Sequence, residues 1–75
     1  MKRVALGRAV GARLRDLREQ RGVSLSEVGR RMNVDPSRVY TIERSGKDPQ
    51  ISTVVRYCDA IGARVYIGFP TKEAP

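Results

Sequence analysis

The sequence predicts a mainly α fold of four helices followed by one C-terminal β-strand. Three observations lead to this prediction: apolar residues recur at helical spacing in four segments, helix-start residues precede the middle two segments, and the spacing becomes alternating near the end of the chain. Seventy-five residues make one domain close to the lower size limit for a stable core. A partner, such as a second copy of the chain, would help to stabilise so small a domain.

The first predicted helix covers residues 7–21, where Val10, Leu14 and Leu17 follow helical spacing and a glycine comes next. Charged residues occupy its other faces. An amphipathic helix on a membrane surface has a similar pattern, but this apolar stripe is narrow and lacks aromatic residues. We therefore expect the helix to pack inside the domain and residues 1–6 to form a basic N-terminal arm.

The next two predicted helices are short and joined by a tight turn. The second covers residues 25–32 and has a capping-box pattern, in which the Ser24 and Glu27 side chains each bond a backbone N–H at the helix start. The third covers residues 36–44, with Asp35 as its N-cap and a proline at its first position. Helices of about two turns with about four residues between them cross at a steep angle. This geometry can hold one helix across a nucleic-acid backbone and place the other in a major groove.

The fourth predicted helix covers residues 51–61, and the core is expected on the shared apolar face of the helices. In the second to fourth helices the apolar positions available for burial are Val28, Met32, Val39, Ile42, Ile51, Val54, Val55, Cys58 and Ile61. Gly29, in the middle of the second helix, lowers helix stability by about 1 kcal/mol relative to Ala, which indicates close approach of a neighbouring helix. Cys58 is expected to pack as a small apolar residue rather than to react.

After the fourth helix the pattern alternates, which predicts a strand at residues 63–69. Val65, Ile67 and Phe69 share one of its faces. A lone strand has unpaired backbone groups, so its simplest partner is the same strand of a second copy, antiparallel about a two-fold axis. The alternative is a tail packed against its own helices. Residues 70–75 are expected to be disordered.

The chain is strongly basic, with fifteen Lys and Arg, eight Asp and Glu, and a net charge of +7. Nine of the basic and three of the acidic residues lie in residues 1–31, so the positive charge is concentrated on the first two helices and the arm. This balance predicts a polyanionic partner, with double-stranded DNA favoured over an anionic membrane. A basic face that only keeps the protein soluble is the alternative.

The composition argues against an enzyme and against a bound cofactor. The chain has no histidine and one cysteine, which excludes an internal disulfide, a zinc site and imidazole catalysis. It also has no phosphate-binding glycine loop and no carboxylate pair suited to a cleft. Arg8 and Arg13 interrupt the N-terminal apolar stretch before it reaches signal-peptide length, and no segment is long enough to span a bilayer. We therefore expect a cytoplasmic protein, associated with the nucleoid when it is bound to DNA.

Residues 6–61 resemble the helix-turn-helix domains of the Cro and phage-repressor type, also called the XRE family. The resemblance rests on the order of the four helices and on the central pair at residues 24–44, SLSEVGRRMNVDPSRVYTIER, where Ser24-Leu25 replaces the usual Thr-Gln. It implies a four-helix, repressor-like helix-turn-helix DNA-binding domain at residues 7–62.

The resemblance also implies which side chains read DNA bases. These lie at the N-terminal end of the third helix and one turn later, and they are Ser37, Arg38, Thr41 and Tyr40. Pro36 supplies no polar group, so specificity shifts to the residues that follow it. Arg38 is the strongest candidate, because a guanidinium that bonds bidentately to guanine discriminates by about 1–3 kcal/mol. The alternative for Arg38 is a phosphate contact that is blind to sequence. Tyr40 would cover a thymine methyl, bond a phosphate, or act as a partly buried spacer.

Two further roles follow from the same resemblance. Ser24, Arg44 and Lys47 correspond to positions that commonly contact the phosphate backbone. Arg18 and Glu43 correspond to a structural ion pair between the first and third helices. We expect loss of either member to leave a poorly compensated charge.

The end of the chain suggests a subgroup. The segment DAIGARVYIGF, at residues 59–69, is similar to the antitoxins of toxin-antitoxin operons, which dimerise through such a strand and repress their own promoter. The leading hypothesis is a homodimeric, sequence-specific transcriptional regulator, expected to be a repressor, that binds an inverted repeat. The alternative is an antitoxin whose main task is to hold a toxin protein.

Overall fold

Four α-helices make up the described part of the chain. The computed structural model describes residues 3–66, with side chains from residue 7 onward. The helices are α1 (Arg3–Gln20), α2 (Leu25–Met32), α3 (Pro36–Arg44) and α4 (Ile51–Ile61). Helices α1 and α2 each pack against both α3 and α4. The mainly α, four-helix fold is confirmed, and within the described range none of the helices combines the length and apolar character needed to cross a bilayer.

Helix α1 begins at Arg3, whereas the sequence predicted a start at residue 7. Residues 3–6 were predicted as part of a basic arm and instead belong to the helix. The prediction was wrong because it took the start from the apolar stripe, although the sequence Arg-Val-Ala-Leu contains no helix breaker and no capping residue. The C-terminal end of α1 is closer to the prediction, which placed it near Gly22. The helix ends at Gln20, and Gly22 follows with a positive φ of 67°.

Helix α2 begins with one half of the predicted capping box. The Ser24 Oγ accepts a hydrogen bond from the Glu27 backbone N–H at 3.0 Å. The Glu27 carboxylate, in contrast, accepts from the Nε groups of Arg30 and Arg31, at 3.0 and 2.7 Å. Charge-assisted bonds of this kind are stronger than a bond from a neutral backbone N–H. The two guanidinium groups also lower the pKa of Glu27 to about 2.

The turn between α2 and α3 lies directly against α2. Asn33 ends α2 in the left-handed conformation, with φ 60°, which asparagine tolerates better than most residues. A Cβ on Gly29 would lie 2.7 Å from the Val34 carbonyl oxygen and 3.2 Å from the Pro36 nitrogen. The close approach expected at Gly29 therefore comes from the backbone of the turn and not from the body of a neighbouring helix.

Helix α3 begins as predicted, with Asp35 as its N-cap. The Asp35 Oδ1 accepts a hydrogen bond from the Ser37 backbone N–H at 2.9 Å, and Pro36 occupies the first helical position. This backbone bond is the main reason that the pKa of Asp35 is lower than the usual aspartate value.

We expect this cap to weaken in acid. Because the pKa of Asp35 is lowered by folding, its carboxylate contributes stability that is fully present above the ordinary value of 3.8 and is lost as the pH falls through the lowered value. Asp35→Asn keeps a capping oxygen but cannot titrate. Thermal unfolding followed by circular dichroism should show that the wild-type midpoint falls more steeply than the variant's below about pH 4. Parallel pH profiles for the two proteins would contradict this role of the carboxylate.

The core lies where the four helices meet. Its buried side chains are Leu14, Val28, Met32, Val39, Tyr57, Cys58, Ala60 and Ile61. On α4 the sequence offered Ile51 and Val55 for burial, but these are 62% and 39% exposed. The buried stripe of α4 instead includes Tyr57, because Val55 lies beside the stripe and Ile51 is at the exposed first position of the helix. The prediction of which face of α4 is buried was thus partly wrong.

Two arginines connect α2 and α4 reciprocally. The Arg31 Nη1 donates to the Ala60 carbonyl oxygen, and the Arg56 Nη2 donates to the Met32 carbonyl oxygen, both at 2.6 Å. Each guanidinium therefore caps the C-terminal end of the other helix, where carbonyl groups lack partners within the helix. These two cations contribute to the placement of α2, the helix that precedes the turn.

The segment that follows α4 has no regular secondary structure in residues 63–66. Within it, Val65 is half-buried and packs against the core. The other two residues of the predicted apolar face, Ile67 and Phe69, lie outside the described residues, as does the end of the chain that was expected to be disordered. The C-terminal strand and its pairing therefore stay predictions.

Candidate nucleic-acid interface

The outer face of α3 carries the side chains that were predicted to read bases. Ser37, Arg38, Tyr40 and Thr41 are all exposed. The inner face carries Val39, which is 0% exposed, and Glu43, which is 3% exposed. Helix α3 is therefore held by one side and presents a polar surface on the other.

The hydrogen-bonding capacity of this surface is partly used. The Thr41 hydroxyl donates to the Ser37 carbonyl oxygen at 3.0 Å, so its oxygen remains able to accept. Arg38 is exposed and, within the described residues, belongs to none of the ion pairs of the domain. Its planar group of five N–H donors suits a bidentate contact with a base or a phosphate.

Arg38 and Thr41 share a groove with Lys47, one of the predicted phosphate contacts. The groove has a volume of about 300 Å³ and lies between α3, the loop that follows and the start of α4, with Gln50 and Thr53 on its far side. Two expected base-reading residues and one expected phosphate-binding residue are therefore neighbours. Asp48 also lines the groove, so the cationic groups there that can bind a sugar-phosphate backbone are Arg38 and Lys47.

The other two predicted phosphate contacts lie elsewhere. Ser24 is exposed at the start of α2, and because its Oγ accepts from the Glu27 N–H, the hydroxyl proton remains available as a donor. Arg44 is half-buried at the end of α3. Its Nη1 lies 3.3 Å from the Glu43 Oε1, and its Cζ lies 4.1 Å from the centroid of the Tyr40 ring. The Tyr40–Arg44 stack was missed in the sequence, although a spacing of four residues on a helix would permit it.

Behind this surface, Arg18 and Glu43 are in direct contact. The Arg18 Nε lies 2.6 Å from the Glu43 Oε2, and its Nη2 lies 3.1 Å from the Oε1, so the pair is bidentate. Arg18 also donates through its Nη1 to the Val23 carbonyl oxygen at 2.9 Å. The hydrogen bond to Glu43 is the largest cause of the raised pKa of Arg18. The pair joins α1 to α3 and to the loop before α2.

Tyr57 is a third member of this buried group and was not predicted from the sequence. Its hydroxyl donates to the Glu43 carboxylate, and the hydroxyl oxygen lies 3.4 Å from the Leu14 carbonyl oxygen. Burial raises the pKa of Tyr57 above the ordinary tyrosine value, so the hydroxyl, which is already protonated at neutral pH, also stays a proton donor in more alkaline solution. The only signal in the sequence is a tyrosine three residues after Val54 in an apolar stripe. Helices α1, α3 and α4 therefore meet at one carboxylate.

These features define the class of protein. The family model described as a helix-turn-helix domain matches residues 9–65, and the chain belongs to this family. The matched range contains all of α2, α3 and α4, which confirms the resemblance noted in the sequence. The helix-turn-helix is a DNA-binding motif, whose second helix lies in the major groove and contacts base edges.

A solved structure with the same fold is that of the clp gene regulator ClgR from C. glutamicum. It is 35% identical to this chain and superimposes with a TM-score of 0.73. The match covers 80% of this chain and 77% of ClgR. No curated protein sequence matches the chain.

Proposed function

We propose that the protein is a sequence-specific DNA-binding regulator of transcription that represses its target by binding an inverted repeat as a homodimer. The observation that carries this proposal is the exposed outer face of α3, with Arg38 and Thr41 in a polar groove, on a helix whose inner face is fixed by the buried Glu43. Membership of the helix-turn-helix family and likeness to a known gene regulator support it.

The proposed contacts divide into two kinds. Ser37, Arg38 and Thr41 are assigned to base edges, and Ser24 and Lys47 to phosphates. In a two-fold symmetric dimer, two copies of α3 would enter successive major grooves about 34 Å apart. Binding of this kind would block access of RNA polymerase to an overlapping promoter.

Arg38→Ala is expected to weaken binding to the cognate duplex by about 1–3 kcal/mol per half-site more than binding to an unrelated duplex, because one bidentate guanine contact is lost from each protomer. The measurement is fluorescence anisotropy with a duplex selected from a random-sequence pool by the wild-type protein. Log affinity should also fall linearly with log salt concentration, because bound protein releases counterions from the phosphates.

Arg21→Ala is the matched control for this experiment. Arg21 is also exposed, but it lies in a groove between α1 and α4 that contains no residue of α3. It should have a small effect on both duplexes. If Arg38→Ala instead weakens binding to the cognate and unrelated duplexes equally, Arg38 is a phosphate contact and specificity lies elsewhere.

The dimer is proposed from the alternating pattern of residues 63–69, whose apolar face consists of Val65, Ile67 and Phe69. A chain truncated after Tyr66 keeps Val65, which packs against the core, and loses the other two. We expect sedimentation equilibrium to give a dimer for the full chain and a monomer for the truncated one. Two monomers, or two dimers, would show that this strand is not the dimer contact.

The second candidate function is an antitoxin that binds a toxin protein and regulates its own operon. It is favoured by the similarity of residues 59–69 to antitoxin sequences and by apolar side chains exposed outside α3, since Ile51 is 62% and Tyr66 85% exposed. A protein partner would cover such side chains. Co-purification with the product of a neighbouring gene would favour the antitoxin, whereas binding to a selected duplex with no co-purifying protein would favour the regulator.

A further inference from the structure

Tyr40 and Arg44 lie one turn apart on the outer side of α3 and are stacked. The Arg44 Cζ is 4.1 Å from the centroid of the Tyr40 ring, within the range of an attractive cation–π contact. Tyr40 is 51% exposed, and the Arg44 side chain is 31% exposed. The stack is therefore open to a partner molecule.

The Arg44 guanidinium is held on a second side by Glu43. Its Nη1 is 3.3 Å from the Glu43 Oε1, and that carboxylate is itself fixed by Arg18 and Tyr57. Stacking on a ring uses the flat face of a guanidinium and leaves its N–H groups free, because these lie in the plane. Arg44 thus has a restricted orientation and unused N–H donors. Both properties favour a bidentate contact with an anion.

We propose that Tyr40 is a positioning residue for Arg44: its ring holds the guanidinium in place for a bidentate contact with a DNA phosphate, and its hydroxyl does not read a base. The proposal rests on the DNA-binding function proposed above. Phosphate is the expected anion because base contacts in this motif come from the N-terminal part of the recognition helix, whereas Arg44 is the last residue of α3. This inference changes the role assigned to Tyr40 from the sequence.

The test is a double-mutant cycle on the full chain, with anisotropy on the selected duplex and on an unrelated duplex of the same length. Tyr40→Leu removes the ring and keeps an apolar side chain, and Arg44→Gln removes the charge. Tyr40→Leu should weaken binding to both duplexes by about two- to fivefold for each bound protomer, the usual size of one cation–π contact. Arg44→Gln should weaken both and reduce the magnitude of the salt slope by about 0.9 for each bound protomer, as for one lost phosphate contact per protomer. In the Arg44→Gln background, Tyr40→Leu should have no further effect.

Tyr40→Phe separates the ring from the hydroxyl. It should restore most of the affinity that Tyr40→Leu loses. The shift of the Arg44 Nε–H signal caused by the ring, measured by NMR on the free protein, should be kept in Tyr40→Phe and lost in Tyr40→Leu. Thermal unfolding of each variant checks that the domain remains folded, as expected because Tyr40 is exposed and Arg44 is half-buried.

Three results would count against these assignments, each in a different way. A loss in Tyr40→Phe that is confined to the cognate duplex would show that the hydroxyl reads a base. Additive effects of Tyr40→Leu and Arg44→Gln would show that the ring acts independently of the guanidinium. Failure of the wild-type protein to bind any selected duplex would overturn the DNA-binding function itself, and with it this inference.

Discussion

Glu43→Ala is expected to destabilise the folded domain by about 3–5 kcal/mol, the usual cost of removing one member of a buried ion pair. Arg18 is only 8% exposed and directs two of its N–H groups at the Glu43 carboxylate. Without Glu43 the guanidinium would be left buried and unpaired, and the Tyr57 hydroxyl would lose its charged acceptor. The measurement is the free energy of unfolding from urea titration, followed by circular dichroism.

Two further variants of the chain test whether the loss comes from the buried ion pair. Glu19→Ala breaks the exposed pair with Arg15, whose side chains are 52% and 46% exposed, and should cost less than about 1 kcal/mol. Arg18→Met combined with Glu43→Leu removes both charges and should recover part of the loss, because apolar residues often replace a buried pair at little cost. If Glu43→Ala costs no more than Glu19→Ala, the buried pair does not hold α3 against α1.

A consequence for DNA binding follows from the position of Glu43 on the inner side of α3. The variant should lose affinity for cognate and unrelated duplexes alike, since the whole outer face moves when the helix is no longer fixed. This differs from the selective loss expected for Arg38→Ala. The two variants should be compared at a temperature at which both are folded. The comparison then distinguishes a residue that supports the helix from a residue that contacts a base.

The starts of α2 and α3 and the end of α4 were predictable from the sequence because they are set by neighbouring residues, unlike the start of α1. Ser24, Asp35 and Gly62 each act within a few positions of their own place in the chain: two cap a helix start, and the third ends α4 with a φ of 76°. The exposure of Arg38 and Thr41 follows from helical periodicity, once Val39 faces the core. Local rules were therefore sufficient for the helix pair and for its outer face.

The tertiary contacts were harder to predict from the sequence. Arg18 and Glu43 are 25 residues apart in sequence, and only the family resemblance paired them. Tyr57 bonds the same carboxylate from α4, and nothing in the spacing of its own helix indicates that. The pairing of the predicted strand is hard to predict for a different reason, because the backbone partner that it needs would come from a second chain.

Gly11 shows how closely α1 approaches α3, although no pattern in the sequence distinguishes it from other glycines. A Cβ at Gly11 would lie 2.3 Å from the carbonyl oxygen of Glu43 and 3.0 Å from that of Ile42. Both are backbone atoms of α3, which cannot turn aside as a flexible side chain can. Helix α1 therefore holds Glu43 twice, through the Arg18 side chain and through backbone packing at Gly11.

Gly11→Ala is accordingly expected to destabilise the domain by about 1–3 kcal/mol, as for overpacking of a close contact. This direction opposes the effect of the same change at an exposed helix position, where alanine is favoured over glycine by about 1 kcal/mol. Ala12→Val is the control: it adds carbon atoms at the next, exposed position of α1 and should cost less than about 0.7 kcal/mol. Urea titration of both variants gives the comparison. If Gly11→Ala is more stable than the wild-type protein, α1 and α3 can move apart at no cost. In that case backbone packing against α1 does not fix the position of α3 and its outer face.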